Sequence, residues 1–330
     1  MVMKSRGMGK WVHEQIRIAV VDLGTNTFNL LVAANALDGK LHFLQRERRP
    51  VFLGRNGIDK NLIAYDAMLR AWEVLQEYKR IAQEQGVAKI FALGTSALRT
   101  AQNASEFIIR AQAILGTDIQ VITGSEEAEL IYLGVRQSIE STDIPFLIVD
   151  IGGGSNELII ANSKTIFWKK SYPLGMARLK ALFSFSEPIT PAEIERLNDH
   201  LAIALSDFLN EILPQYKVQT LIGAEGAFES FLHMARHTSC NLQTELSTNT
   251  PYCHDLSYDC FFKIKEKLVA STLEERFKME GLESFRAEMI VPAVLFVNFL
   301  LERLSLPLLR VSEYSLKEGA VWKYFFGSDA

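Results

Sequence analysis

The chain has 330 residues, 48% of them hydrophobic, with 35 Lys and Arg against 39 Asp and Glu and a formal net charge of −4. That length suits about two domains with sizeable cores, and the acidic balance removes the global basic field of a nucleic-acid coat or membrane-surface protein, so neither nucleic acid nor membrane is expected as a partner. Cys240, Cys253 and Cys260, without a C-x-x-C pair, fit neither a disulfide framework nor a zinc site and point to free thiols in a reducing cytoplasm.

Residues 1–13 are basic without an apolar run and read as a disordered lead-in rather than a signal peptide. Strands are expected at 16–22, 28–34 and 41–51, with Asp38-Gly39 as a hairpin turn between the last two. An amphipathic helix is expected over 61–85, ended by Gly86, then a strand at 89–93, a helix at 103–115 and a strand at 119–123. The second half restarts at Phe146 with a hairpin and a third strand at 165–172. Thr190-Pro191-Ala192-Glu193 opens a helix to about Leu213, and 220–223 is the next strand. Helices follow at 258–270 and from Ser271, then a long buried helix at 283–304 with a possible kink at Pro292, a strand at 308–311 and a closing helix at 316–326. The longest apolar run, 289–301, is shorter than the ~20 residues of a bilayer span. The apolar region 296–309 is a candidate homodimer face.

Inside this order lies a repeat. Residues 21–33, VDLGTNTFNLLVA, align without a gap to residues 149–161, VDIGGGSNELIIA. Each copy is an apolar run ending in aspartate, a small glycine-bearing turn and a second apolar run. Such turns bring backbone N–H groups close to an anion, and an aspartate at the strand end can hold a divalent cation. Two facing copies would clamp a phosphate. The match is asymmetric: Asn29 stands where Glu157 does, and one glycine, Gly24, faces Gly152, Gly153 and Gly154. The second copy is therefore expected to carry the metal, the first to steady the phosphate.

The duplicated three-strand-plus-βαβα unit resembles the actin-like ATPase fold: α/β, with two ribonuclease H-like domains and an interdomain cleft. Asp22-Leu23-Gly24-Thr25-Asn26-Thr27, Thr95-Ser96-Ala97-Leu98-Arg99, Gly124-Ser125-Glu126-Glu127-Ala128, the run from Asp150 to Glu157, Pro173 through Leu179, and Arg286-Ala287-Glu288 together resemble the motifs of the exopolyphosphatase and guanosine pentaphosphate phosphohydrolase family, in its short two-domain form. The resemblance implies an N-terminal domain of residues 14–125 plus 312–330 and a C-terminal domain of 126–311. It implies a cytoplasmic Mg²⁺-dependent (or other divalent-cation-dependent) exopolyphosphatase with inorganic polyphosphate or guanosine pentaphosphate as substrate. A phosphotransferase of the same superfamily and a non-catalytic polyphosphate or alarmone sensor are the rivals.

Hydrolysis of a phosphoanhydride needs neutralised anion charge, a held phosphorus and an activated water. The resemblance assigns Glu127 to the water and Asp150 and Glu157 to the metal, with Asp22 as a further metal candidate. Gly24, Thr25, Asn26, Thr27, Ser96, Arg99, Gly152, Gly153, Gly154, Ser155, Asn156, Arg178 and Arg286 are expected to bind phosphate. Spacing alone leaves alternatives open: Ser125 as an N-cap would make Glu126 and Glu127 ordinary first-turn acids, and Arg99, Arg178 and Arg286 would serve equally as surface arginines. The basic runs 46–49 and 169–170 would line a polyanion channel or be solvated strand faces. His233 and His237, at helical i, i+4 spacing, are read as a polar helix face. Two departures from the family pattern stand out. Asn156 replaces a more usual threonine, and Gly223-Ala224-Glu225-Gly226-Ala227 replaces Gly-Thr-Gly-Gly-Thr, so that a glutamate is expected to crowd and repel a nucleotide diphosphate.

Overall fold

The computed structural model describes residues 16–35, 40–238, 250–304 and 306–327. The lead-in, the Asp38-Gly39 turn and Cys240 lie outside the described residues. In chain order the elements are β1 (Arg17–Leu23), β2 (Thr27–Asn35), β3 (Leu41–Pro50), α1 (Tyr65–Glu84), β4 (Lys89–Gly94), α2 (Ser96–Thr100), α3 (Ala104–Leu115), β5 (Ile119–Val121) and α4 (Gly124–Val135). They continue with β6 (Phe146–Ile151), β7 (Asn156–Ala161), β8 (Ile166–Tyr172), α5 (Met176–Phe183), α6 (Pro191–Ala204), β9 (Thr220–Ala224) and α7 (Gly226–His237). The last are β10 (Cys253–Asp255), α8 (Tyr258–Val269), α9 (Leu273–Arg276), α10 (Ile290–Leu304), β11 (Leu308–Ser312) and α11 (Leu316–Phe326).

The repeat in the sequence becomes a repeat in space. One sheet has the order β3-β2-β1-β4-β5 and the other β10-β11-β9-β6-β7-β8. Read from β8, the second sheet copies the first and adds β10 at its edge. In each, a three-strand antiparallel meander is followed by parallel strands. The central strands are covered on both faces, which is why they read as near-continuous apolar runs. Along β1, Ala19, Val21 and Leu23 pack toward α1 and α3, whereas Ile18 and Val20 pack the other way, with α4 and α11, against Ile148 and Ile159 of the second sheet. This shared layer joins the halves. Its two helices cross with almost no space between backbones: a Cβ on Gly319 would lie 1.8 Å from the Leu130 carbonyl oxygen, and one on Gly134 2.0 Å from that of Ser315.

Four expectations are corrected. Helix α1 starts at Tyr65: Asn61 takes a left-handed conformation, φ 51°, and the N-cap Ala64 is extended, φ −67° and ψ 144°, so no helix runs through 61–64. The helix from Thr190 ends at Ala204, and residues 208–215 form wider and tighter single turns, with Pro214 lacking the N–H that would extend it. The stretch 283–304 is a short turn at Ser284–Arg286 followed by α10, which begins at Ile290, so Pro292 sits in a first turn that needs no N–H from it and makes no kink there. Of the region 296–309, residues 296–301 are buried inside the second half's own core and offer no dimer face, whereas Leu308 is exposed.

Candidate active site

The two glycine turns end β1 and β6 and face each other across a cleft. Gly24, Thr25, Asn26, Thr27, Gly152 and Gly153 line it together with Asp22, Glu127, Asp150, Glu157 and Arg286. A Cβ on Gly153 would sit 2.7 Å from the Asn26 side chain, so the turns approach to contact only because that position is glycine.

Pleating puts the carboxylates here. Asp150 and Glu157 are directly opposed in the β6–β7 ladder, and Asp22 is opposed to Asn29 in β1–β2. Because successive strand residues alternate faces, Asn156 points away from Glu157. It is fully buried, its amide donates to the Leu174 carbonyl at 2.9 Å, and it lines no part of the cleft, so its side chain holds a loop in place of the phosphate expected of it.

Glu127 comes from α4. The N-cap is Thr123, not Ser125: its hydroxyl accepts from the Glu126 N–H at 3.2 Å while the Glu126 carboxylate accepts from the Thr123 N–H at 2.7 Å. That capping box consumes Glu126 and turns Glu127 inward, where it is only 8% exposed. Arg99 Nη1 donates to Glu127 Oε2 at 2.9 Å. Burial pushes the Glu127 carboxyl up to about 7 against the opposing pull of Arg99. Burial likewise lifts Asp150 to about 7 and Asp22 to about 6, and raises Glu157 well above the carboxylate range, with neighbouring acids adding to the rise. Protons or a cation must offset such crowding.

The cleft suits a hard cation. Asp22 Oδ1 is buried and meets no donor among the described residues. Asp22 Oδ2 accepts from Asn29, Asp150 Oδ2 from Ser315 at 2.7 Å and Glu157 Oε1 from Ser171 at 2.6 Å, leaving lone pairs unused. Among the described residues no group of three or more His, Cys, Asp or Glu is arranged to hold a metal ion, so Asp22, Asp150 and Glu157 would need water and substrate oxygens to complete a cation's shell. His237 faces Glu280 at 3.8 Å, far from this site, and His233 and His237 belong to no such set either.

The model of the Ppx/GppA phosphatase family matches residues 32–325. The chain belongs to that family. Among solved structures it is similar to an exopolyphosphatase from Cytophaga hutchinsonii, 34% identical, TM-score 0.87, covering 94% of this chain and 98% of that one. A Ppx/GppA family member from Aquifex aeolicus is 26% identical with a TM-score of 0.76 over 96% of this chain and 99% of its own. These Ppx/GppA neighbours establish the actin-like ATPase fold of two α/β halves. Among curated relatives, a guanosine-5'-triphosphate,3'-diphosphate pyrophosphatase from Vibrio cholerae is 29% identical over 308 residues, 92% of this chain. The chain spans 58% of that relative's length.

In this Ppx/GppA member the residues expected at the phosphate do not form one set. Ser96, Arg99, Ser155 and Arg178 line a separate groove on the other side of the Arg99–Glu127 pair, and Gly154 stands between the two spaces. The basic run 46–49 is not an open channel. Arg48 donates to Glu229 at 2.6 Å, Arg46 pairs with Glu318, and Arg49 pairs with Glu77 at 2.6 Å. Sequence reading missed Ser315 and Lys317, which line the cleft from the start of α11, and Glu229, which reaches Arg48 and Arg286 of the cleft wall through long-range packing. Glu225 has φ 43° and is ion-paired to Lys317 on the cleft wall, so its charge is held in place by a buried lysine and not left free.

Proposed function

We propose that the protein is an exopolyphosphatase, hydrolysing the terminal phosphate of inorganic polyphosphate in the cleft between its two halves, residues 14–125 with 312–330 and residues 126–311. The observation that carries this is the placement of Glu127: a buried carboxylate, poised near neutral pH, at a cleft floor shared with Asp22, Asp150 and Glu157. Glu127 takes a proton from water as its oxygen attacks the terminal phosphorus; the bridging P–O bond breaks, giving orthophosphate and a chain one unit shorter. Backbone N–H groups of the Gly24–Thr27 and Gly152–Gly154 turns hold the phosphate, with Arg286 at the cleft edge. Asp150, Glu157 and Asp22 would hold a divalent cation such as Mg²⁺, which supplies charge neutralisation at the phosphate oxygens. Helix α11 returns to pack on β1 and β2, which supports assigning the C-terminal segment to the first half.

Polyphosphate is preferred as substrate because Glu225 occupies the wall where relatives of this pattern are glycine-rich, and because the Cytophaga hutchinsonii neighbour matches over nearly its whole length. A second reading, guanosine pentaphosphate, is favoured by one feature: Phe285, Met289 and Ile290 form an apolar wall in the same cleft that would suit a base. Orthophosphate release from long polyphosphate, tripolyphosphate and guanosine pentaphosphate, with and without Mg²⁺, tests both. Release from polyphosphate at much higher kcat/KM is expected; release from guanosine pentaphosphate alone would replace the first reading with the second, and release from none would refute hydrolysis.

A further inference from the structure

The loop between β3 and α1 holds three of the five non-glycine residues with positive φ among the described residues: Phe52 at 51°, Asn56 at 61° and Asn61 at 51°. Backbone strain of this kind persists only where the surroundings dictate it, and it gathers at ligand clamps. The first glycine turn dictates it here. The Val51 and Phe52 N–H groups donate to the Asn26 carbonyl at 2.9 and 2.8 Å, and the Gly54 N–H to that of Thr25 at 3.2 Å. A Cβ on Gly54 would lie 2.8 Å from Thr25 Cγ2, so the loop rests directly on the turn.

This loop carries Arg55 to the rim of the cleft. Its guanidinium lies over the Phe52 ring, 4.3 Å from the centroid, and Nη2 donates to Glu288 at 3.2 Å. The other guanidinium N–H groups meet no acceptor among the described residues. Glu288 also accepts from Lys180 Nζ at 2.8 Å, so one carboxylate is shared by a cation from each half. Three elements set this group just outside the cleft lining. Arg55 follows Gly54, which is bonded to Thr25; Lys180 stands one turn along α5 from Met176; and Glu288 precedes Met289. The turn Ile58–Lys60 of the same loop packs on α5 and brings the halves together at this rim. The three side chains are 29–40% exposed, and ion pairs that exposed add little to stability. Arg55 and Lys180 also lie outside the segments that carry the family resemblance.

We propose that Arg55 and Lys180 are a substrate clip that grips a polyphosphate chain where it leaves the cleft, behind the unit being cleaved, and that Glu288 limits the strength of the grip. The clip rests on the polyphosphate reading above. A linear polyphosphate repeats its charge along the chain with neither base nor sugar, so two cations facing each other across a rim suit it. Arg55 offers a planar fork to the oxygens of one unit, and Lys180 a point charge. Glu288 keeps both cations at the rim and leaves the group one net positive charge.

The test compares R55A/K180A with R55K/K180R, which keeps both charges, and with E288Q, which keeps the shape and an acceptor and removes the opposing charge. R55A/K180A is expected to raise KM for long polyphosphate about tenfold with kcat unchanged and a smaller rise for tripolyphosphate; R55K/K180R should recover most of the loss. E288Q should lower KM for long polyphosphate. The opposite signs are the signature of a clip, because residues that merely fasten the halves would act alike when lost. R55A/K180A and E288Q moving KM in the same direction, or R55A/K180A leaving it unchanged, would overturn the proposal. Calorimetric titration of long polyphosphate without Mg²⁺ reads the clip without turnover. Affinity about tenfold weaker in R55A/K180A would sustain the clip even if no substrate were hydrolysed, and equal affinity would remove it while leaving the hydrolytic reading intact.

Discussion

Arg99 Nη1 lies 2.9 Å from Glu127 Oε2, and the same guanidinium donates to the Ile122 carbonyl at 2.9 Å, so the arginine is anchored at the end of the first sheet and ties the proposed base to it. The pair explains how a carboxylate so deeply buried stays near neutral. Burial raises Glu127 to about 7, and Arg99 holds it from rising further.

Glu127→Gln removes proton acceptance while preserving shape. The expected loss in kcat is ~10²–10⁴-fold, with KM little changed. The pH profile carries a sign as well. A base must be deprotonated, so kcat rises with pH through a limb near 7. Arg99→Ala removes the group that lowers this value, and the limb moves to higher pH. A limb that stays in place, or that moves down, would show that Glu127 is not the titrating base.

Ser315 gives the second prediction. Its hydroxyl donates to Asp150 Oδ2 at 2.7 Å from the turn before α11, which orients a proposed cation ligand. Ser315→Ala should weaken Mg²⁺ activation by ~10–100-fold, the usual scale for such a supporting contact. Chelation should abolish turnover in wild type, and excess Mg²⁺ should rescue Ser315→Ala but not Asp150→Asn. Activation curves that superimpose on wild type would take Asp150 out of the metal site.

Much of this was legible in the sequence, for identifiable reasons. The duplicated Asp22 and Asp150 turns are local, so their strand-turn-strand form and cleft position follow from residues close in the chain. Glu127 was legible through its motif, although the cap that turns it inward belongs to Thr123. What was not legible depended on which way a side chain faces after long-range packing. Asn156 belongs to the same turn as Glu157, yet one step along a pleated strand sends it to the other face. Arg99 and Arg178 carry motifs of their own, but only the fold shows that they line a different space from Arg286. Arg48 reads as part of a solvated basic run until Glu229, 181 residues later, is placed against it.

Glu225→Gly addresses substrate choice. At φ 43° a non-glycine backbone is strained, so glycine relieves ~1–3 kcal/mol locally, while Lys317 loses one partner and keeps Glu318 at 3.4 Å. The two effects oppose each other, so the change in stability should be small. The cleft wall opens, and kcat/KM for guanosine pentaphosphate should rise relative to that for polyphosphate. An unchanged ratio would show that Glu225 does not select against the nucleotide.

The last prediction concerns what holds the halves together. Glu229, on α7 of the second half, accepts from Arg48 of β3 at 2.6 Å and from Arg286 at 3.3 Å, so one carboxylate bridges the first sheet and the cleft wall. Burial works against its charge, but Arg48 and Arg286 outweigh it and bring its pKa down to about 2. A carboxyl lowered on folding stabilises the native state above its ordinary value of 4.5, and that contribution fades as pH falls toward 2. Glu229→Gln should therefore cost about 2 kcal/mol in denaturant unfolding at pH 7. The gap to wild type should narrow steadily as pH is lowered from 4.5 toward 2. Arg48→Met should cost a similar amount and, combined with Glu229→Gln, less than the sum of the two, because both substitutions break one contact. Additive losses, or a gap that does not change with pH, would mean that the bridge contributes nothing to holding β3 against α7.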